Sequence, residues 1–558
     1  MRPVSDLNRG RNLGIVLVSM MLVAATSQAW KQVVTAGATK DRALKTKRFL
    51  VTRKEFPKRG TIISANGRIL AQSTDTYELG INFKKVPKSE SFFMALGQAS
   101  QIPAIEFSGP ARSGGKSKQW TGLISSERAK AIQTVQSHWD ADGISLRRVQ
   151  SRQYPFGEAF ESVIGSFGEE KAPTGLESSK MAVLKGQEGL REGMMDRRQE
   201  YLPMRMTDRD RRAVDGQDIT VTLDSELQMA AQASVKQAVI ANNADQGMAV
   251  VLEPHTGRLL ALVSYVLGQK EGAGNGYNPA VMGVFEPGSI FKVFTLALAI
   301  DEGKVRLHDT VQCSGSMGIG RRARIHCTHT HGTVDARDAI AKSCNVAAAQ
   351  WAAKIGHDRF TEFIKEAGLL DARGIGLPKE AKGSYLDDNG NLPLNLANFG
   401  FGQSTSFSPL GLASVLNAFA SDGNYCPPRL VDKIGGRPEP AARKSELFSP
   451  GTSAQVLDLM RSTFESEGGT AHSLRIPGYS LAGKTGTAQK LSAQYTDGKS
   501  RYVSNFVGFV PGDRPAATVL IMIDNPKAGK YYGGSVAGPV FQDIAKAVIK
   551  RYNLPKTQ

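Results

Sequence analysis

The chain has 558 residues, of which 41% are hydrophobic, and a formal charge of +18. That length holds two or three domains with ordinary cores, which excludes a wholly disordered polypeptide. The charge does not single out nucleic acid as a partner, because residues 1–220 carry 35 basic and 23 acidic residues, an excess of 12 that leaves only 6 for the rest. Ten of those basic residues fall within 31–59 beside an apolar segment, where anionic lipid headgroups or simple solubility account for them.

The first element is that apolar segment. Leu13 to Trp30 contains no charged residue, is about long enough to cross a bilayer, and follows Arg2, Arg9 and Arg11. An uncleaved anchor is expected, with a cleaved secretory signal as the alternative because Ser27-Gln28-Ala29 has small-x-small form. Either way the remainder is exported. Long domains translocate largely regardless of flanking charge, so residues 1–12 are expected in the cytoplasm and everything after Trp30 outside.

A basic stalk leads to Arg59–Ala71, which reads as two short strands around an Asn66-Gly67 turn. Residues 85–120 read as part of an irregular, mostly β module, Ser125–Trp139 has helical spacing, and Arg152–Gly168 continues the module. Arg191–Arg212 mixes both charge signs and reads as solvated surface. Composition changes near Asp218. Ile219–Leu223 is a predicted strand, Asp224 a helix cap, Ser225–Asn242 a helix, and Met248–Glu253 and Arg258–Tyr265 two strands joined by a turn. Strands recur at 480–490, 502–510 and 517–524 before a final helix over Ala537–Tyr552. The expectation is a five-stranded, antiparallel sheet made from both ends of the second domain, with a mainly helical insert over 287–475.

Chemistry concentrates in that insert and the strand after it. Pro287-Gly288 sets a turn that delivers Ser289 to a helix apolar on nearly every side, and Lys292 lies three residues on, within side-chain reach. Burial, the positive helix end and a second cation would each disfavour the charged lysine and let it act as base to an activated serine. Ser-x-x-Lys alone is a weak signal. Here Ser343-Cys344-Asn345 follows 54 residues later and Lys484-Thr485-Gly486-Thr487 begins 195 residues after Ser289. The three motifs in this order form a specific set.

On these residues, together with Arg59-Gly60, Asn66-Gly67, Asp524-Asn525-Pro526, Tyr531-Tyr532-Gly533-Gly534 and Ala537–Phe541, the chain resembles the class B penicillin-binding proteins, most closely the septal cell-division type. The resemblance implies an α/β (α+β) chain: a single transmembrane helix, a β-rich pedestal, and a transpeptidase domain like that of the serine β-lactamases. The expected boundaries are 1–12 cytoplasmic tail, 13–30 anchor, 31–217 stalk and pedestal, and 218–558 transpeptidase. It implies a peptidoglycan D,D-transpeptidase of the inner membrane that takes D-Ala-D-Ala stem peptides, is acylated by β-lactams, uses no cofactor, and works with a separate glycosyltransferase and divisome proteins, without nucleic acid.

The resemblance also assigns roles. Ser289 would be the nucleophile, Lys292 the base, Ser343 a proton relay, and Asn345 a holder of the substrate amide and of Lys292. Lys484 would supply positive charge. Thr485 and Thr487 would bind the terminal carboxylate, Gly486 would permit close approach of the peptide, and the N–H groups of Ser289 and Thr487 would form the oxyanion hole. A D,D-carboxypeptidase, a β-lactamase and a non-catalytic β-lactam sensor or assembly scaffold remain as alternatives. Cys344 departs from the residue that many relatives place inside the second motif.

Four cysteines in an oxidising compartment suggest a Cys313–Cys327 disulfide. No metal is expected in the primary reading. The rival is zinc held by Cys313, Cys327, His331 and Cys344, although no spacing matches a standard finger.

Overall fold

The computed structural model describes residues 5–33, 50–168, 172–195, 201–203, 210–269, 276–320, 323–386, 392–490 and 500–557. Arg2, most of the basic stalk, and much of the charge-dense 191–212 stretch lie outside the described residues. The chain forms two compact units, residues 1–58 with 185–216, and residues 59–184 with 217–558.

The first unit holds the Ser5–Val33 helix, whose Asn12–Lys31 stretch is long and apolar enough to cross a membrane and is wholly exposed. It also holds a three-stranded antiparallel sheet in which Gly189–Met195 lies between Leu50–Glu55 and Tyr201–Pro203.

The second unit contains two large sheets. In the first, the expected hairpin forms: Ile62–Ile63 pairs with Ile69–Asn82 across Gly67, whose φ of +79° the Asn-Gly turn requires. Ile62 also pairs in parallel with Ile219, and Val431–Ile434 pairs on the far side of Ile219–Val221, so one sheet runs across residue 217. Residues 90–112, read from sequence as irregular, form two helices, Glu90–Ser100 and Ile105–Arg112. Ser89 caps the first by accepting from Phe92 N, and Phe92, Phe93, Leu96 and Phe107 fill a small core with Ile81 and Ile132.

The second sheet is the predicted one. Its order is Leu259–Val266, Gln246–Leu252, Ala517–Asp524, Tyr502–Val510, Ala482–Gln489, every pair antiparallel. Because both faces are covered, four of its strands are largely apolar and their residues alternate between two cores, whereas Ala482–Gln489 carries Lys484, Thr485 and Thr487. Ala249, Val251, Phe506 and Ile521 pack with Val235, Phe541 and Ile544 of the Ser225–Ala241 and Gly533–Tyr552 helices. Val250, Leu252, Val507 and Met522 share the other core with Phe291, Phe294 and Leu296. Asp224 caps the first of those helices through the N–H groups of Glu226 and Leu227, as read from sequence. The last helix starts at Gly533, four residues before the predicted start. A Cβ at Gly533 would lie 2.4 Å from the carbonyl oxygens of both Asn505 and Gly486, so glycine is what allows the helix end to rest on the sheet edge.

Candidate active site

The site begins with a clamped turn. Gly288 has φ +55° and donates its N–H to Gly402 O at 2.9 Å, while Glu286 Oε1 accepts from Ser404 N at 3.0 Å. Burial pushes the Glu286 carboxyl above the usual carboxylate range. Asn505 Nδ2 donates to Pro287 O at 2.9 Å and ties the turn to the sheet. Ser289 emerges half-buried in a 3₁₀ turn, Gly288–Phe291, and Lys292 opens the helix Lys292–Asp301, which is buried as far as Ala299.

Lys292 is completely buried, and its Nζ donates to Ser343 O at 2.7 Å and to Ser343 Oγ at 3.0 Å. Burial lowers its pKa to about 8, against the pull of the Cys344 and Cys327 thiols, which favour the charged form. The second cation expected from sequence is Lys484, also fully buried, whose Nζ donates to Thr485 O at 3.1 Å. Burial first, and then the charge of Lys292, push Lys484 well below the ordinary lysine range.

Ser343 sits where the Ala336–Ala341 helix ends, with φ +60°. Glycine is the usual residue at such a left-handed position, and a side chain there costs about 1–2 kcal/mol. The side chain present is the one whose hydroxyl holds Lys292. Cys344 then caps the Asn345–Ile355 helix, its Sγ accepting from Ala347 N at 3.4 Å. Asn345 was expected to help fix Lys292. Its Nδ2 instead donates to His326 O at 2.7 Å, and among the described residues Lys292 Nζ donates both of its hydrogen bonds to Ser343.

The opposite wall is Ala482–Gln489, an edge strand that among the described residues pairs only with Tyr502–Val510. Thr485 and Thr487 share a face. Thr485 Oγ1 donates to Thr470 Oγ1 at 2.9 Å, and Thr487 Oγ1 accepts from Gly533 N at 3.1 Å. Gly486 is demanded by internal packing: a Cβ there would lie 1.7 Å from Asn505 Oδ1 and 3.2 Å from Ile290 Cγ2. Asn505, Thr470, Gly402 and Ser404 were missed in the sequence reading. For Asn505 there was a signal, a lone amide inside the apolar run Val503–Val510.

The expected Cys313–Cys327 disulfide is not formed. The two sulfurs stand 3.7 Å apart, against about 2.05 Å for a bond, and all four cysteines are free. Cys327 Sγ is also 3.9 Å from Cys344 Sγ and accepts from Asn345 N at 3.2 Å, so it is held among several partners.

Comparison with known proteins agrees with this geometry. Residues 247–546 match the penicillin binding protein transpeptidase domain, and residues 54–221 match the penicillin-binding protein dimerisation domain. The chain is 30% identical over 497 residues to a probable peptidoglycan D,D-transpeptidase, PenA, of Neisseria gonorrhoeae, covering 87% of this chain and 83% of that one. It is 28% identical over 594 residues to the penicillin-binding protein PbpB of Mycobacterium tuberculosis, covering 99% and 86%. Among solved structures it is similar to penicillin binding protein 3 of Mycobacterium tuberculosis complexed with aztreonam, with a TM-score of 0.68 and 25% identity over 91% of this chain and 98% of the other. The chain belongs to the class B penicillin-binding proteins, the peptidoglycan D,D-transpeptidases.

Proposed function

We propose that Ser289 is the acylated nucleophile of this transpeptidase. Its Oγ attacks the carbonyl between the last two D-alanines of a stem peptide while neutral Lys292 takes the hydroxyl proton. The N–H groups of Ser289 and Thr487 hold the developing oxyanion, a contribution of about 3–4 kcal/mol per donor. Collapse breaks the C–N bond, and the proton returns through Ser343 to the departing D-alanine amine. The amine of a second stem peptide then displaces Ser289 from the ester, and cross-linking is complete.

The observation that carries this reading is the fully buried Lys292 amine, lowered to about 8, hydrogen-bonded to Ser343 and three residues from Ser289. The Thr485 and Thr487 hydroxyls and Lys484 would bind the terminal carboxylate, with Asn345 on the substrate backbone. The resemblance to the septal type supports action at the division septum with a separate glycosyltransferase and divisome proteins. The Asn12–Lys31 helix would hold the enzyme in the inner membrane with its catalytic domain outside.

Intact-mass analysis after exposure to a β-lactam, with peptide mapping, tests the nucleophile: a single adduct is expected on Ser289, and an adduct elsewhere overturns the assignment. Turnover on lipid-linked precursor separates the activities. Cross-linked dimers are expected, whereas released D-alanine without dimers would identify a carboxypeptidase, and acylation without turnover a sensor or scaffold.

A further inference from the structure

Beside the second catalytic motif, four ligating atoms converge: the sulfurs of Cys313, Cys327 and Cys344 and a ring nitrogen of His331, all within 4.8 Å of one another. The separations are 3.7 Å for Cys313–Cys327, 3.9 Å for Cys327–Cys344, and 3.4 Å for Cys313 Sγ to His331 Nδ1. A tetrahedral zinc with bonds of about 2.3 Å to sulfur and about 2.0–2.1 Å to nitrogen puts its sulfurs about 3.8 Å apart and sulfur and nitrogen about 3.6 Å apart. These three separations match, and the remaining pairs lie within 4.8 Å. We propose that this chain binds one structural zinc ion through Cys313, Cys327, His331 and Cys344.

The surroundings suit a metal better than a disulfide. Three sulfurs are close neighbours, so any disulfide among them leaves one thiol stranded in the same buried place. Backbone N–H groups already point at two of the sulfurs, Asn345 N at Cys327 and Ala347 N at Cys344, as they do around coordinated thiolates. The other nitrogen of His331 is buried without a partner among the described residues. Three thiolates and an imidazole select zinc among the common divalent ions, and four protein ligands leave no position for a reacting water, so the ion is structural and not hydrolytic.

Its place in the fold gives it a task. Cys313 lies on Val311–Cys313 and His331 just before Gly332–Val334, two strands that pair; Cys327 follows the small hairpin of Ser316–Ile319 and Ala323–His326; Cys344 caps the Asn345–Ile355 helix. Strands of three or four residues do not hold a wall rigid by themselves. The ion cross-links them to the residue that follows Ser343, whose carbonyl and hydroxyl hold Lys292. That positioning task rests on the roles proposed above for Ser343 and Lys292; the binding of zinc does not.

The test uses the full chain purified in detergent with reductant and without chelator. Elemental analysis is expected to give about one zinc per chain, and exchange for cobalt(II) the visible bands of a tetrahedral site with thiolate ligands. Cys327→Ser and His331→Ala should each weaken zinc binding by more than the roughly 10- to 100-fold that loss of an outer partner costs. Cys426→Ser, outside the cluster, should retain the full complement. Zinc-depleted chain should acylate more slowly with a fluorescent penicillin and recover when zinc is restored. Four alkylatable thiols with no bound metal in the wild type, or zinc unchanged in the Cys327→Ser, Cys344→Ser double variant, would overturn the site. Should single variants fail to fold, the wild-type stoichiometry and cobalt spectrum decide. Because stoichiometry is read without catalysis, a β-lactam adduct away from Ser289 would sink the proposed mechanism and leave the zinc site standing.

Discussion

The second unit buries positive charge in two places and treats it in opposite ways. Arg59 and Arg152 converge on Glu177, with Arg59 Nε on Oε2 and Arg152 Nε on Oε1, each at 2.7 Å, and all three side chains at most 5% exposed. The Tyr154 hydroxyl lies 3.5 Å from the same carboxylate, and burial, then the Glu177 charge, push its pKa up. Lys292 and Lys484 are as deeply buried, yet among the described residues neither forms an ion pair; their partners are a hydroxyl and backbone carbonyls. A buried guanidinium cannot shed its proton, so it is paired. A buried amine can, and leaving it unpaired drives it toward the neutral form that accepts a proton. In the mechanism proposed above, the first cluster serves the fold and the second the chemistry.

The sharpest way to break this division is at the serine. Ser289→Ala should abolish β-lactam labelling completely, because the attacking oxygen is gone; residual stoichiometric label would show that the unpaired lysines serve some other nucleophile. Lys292→Ala should slow acylation by about 100- to 10,000-fold, the range a general base contributes, with the folded yield nearly unchanged. Stopped-flow measurement of penicillin acylation separates the two, and near-normal rates in Lys292→Ala would make the buried amine a structural oddity.

The paired cluster should fail in the other currency. Glu177→Ala strands two buried guanidiniums and should lower stability by about 3–5 kcal/mol in chemical denaturation, while each folded molecule still acylates. A stable variant with lost acylation would reverse the assignment. A smaller effect is expected between the two walls of the site. Asn505→Ala removes the amide that holds Pro287 O, a buried bond worth about 1–3 kcal/mol, or roughly 5- to 150-fold if it is all expressed in acylation. Because Asn505 acts by placing the turn, its pH profile should match that of the parent; a shifted profile would mean it touches the base directly.

How much of this was legible beforehand follows a physical rule. Motifs that act through local spacing were readable: Ser289 and Lys292 one turn apart, the edge strand carrying Lys484 and its threonines, and the Asn66-Gly67 turn. The sheet was readable too, since four of its strands are buried on both faces and largely apolar. What escaped were contacts set by distant parts of the chain. Gly486 reads as room for a substrate until Asn505 Oδ1 is found filling that space, and Gly533 reads as a loop until its helix is seen resting on Gly486. The partner of Asn345 could not be foreseen either, because His326 reaches it only through the fold of the short hairpins. The sulfurs were noticed for their number, and only their mutual distances separate a disulfide from a metal cage.

The comparison of paired and unpaired charge is sharpened last by pH. In the proposed mechanism Lys292 must be neutral to take the Ser289 proton, and its pKa is lowered from 10.5 to about 8 by burial. The acylation rate should therefore climb about tenfold per pH unit below about 8 and level off above it, since only the neutral fraction reacts. Burial, and not the second lysine, is what lowers Lys292, so Lys484 can be removed without moving it. Lys484→Met should lower the acylation rate by removing a substrate contact and leave the inflection near 8. An inflection near the ordinary lysine value in the parent would show that burial does not hold the amine neutral. A large upward movement in Lys484→Met would show that the second lysine stays charged and does the lowering itself.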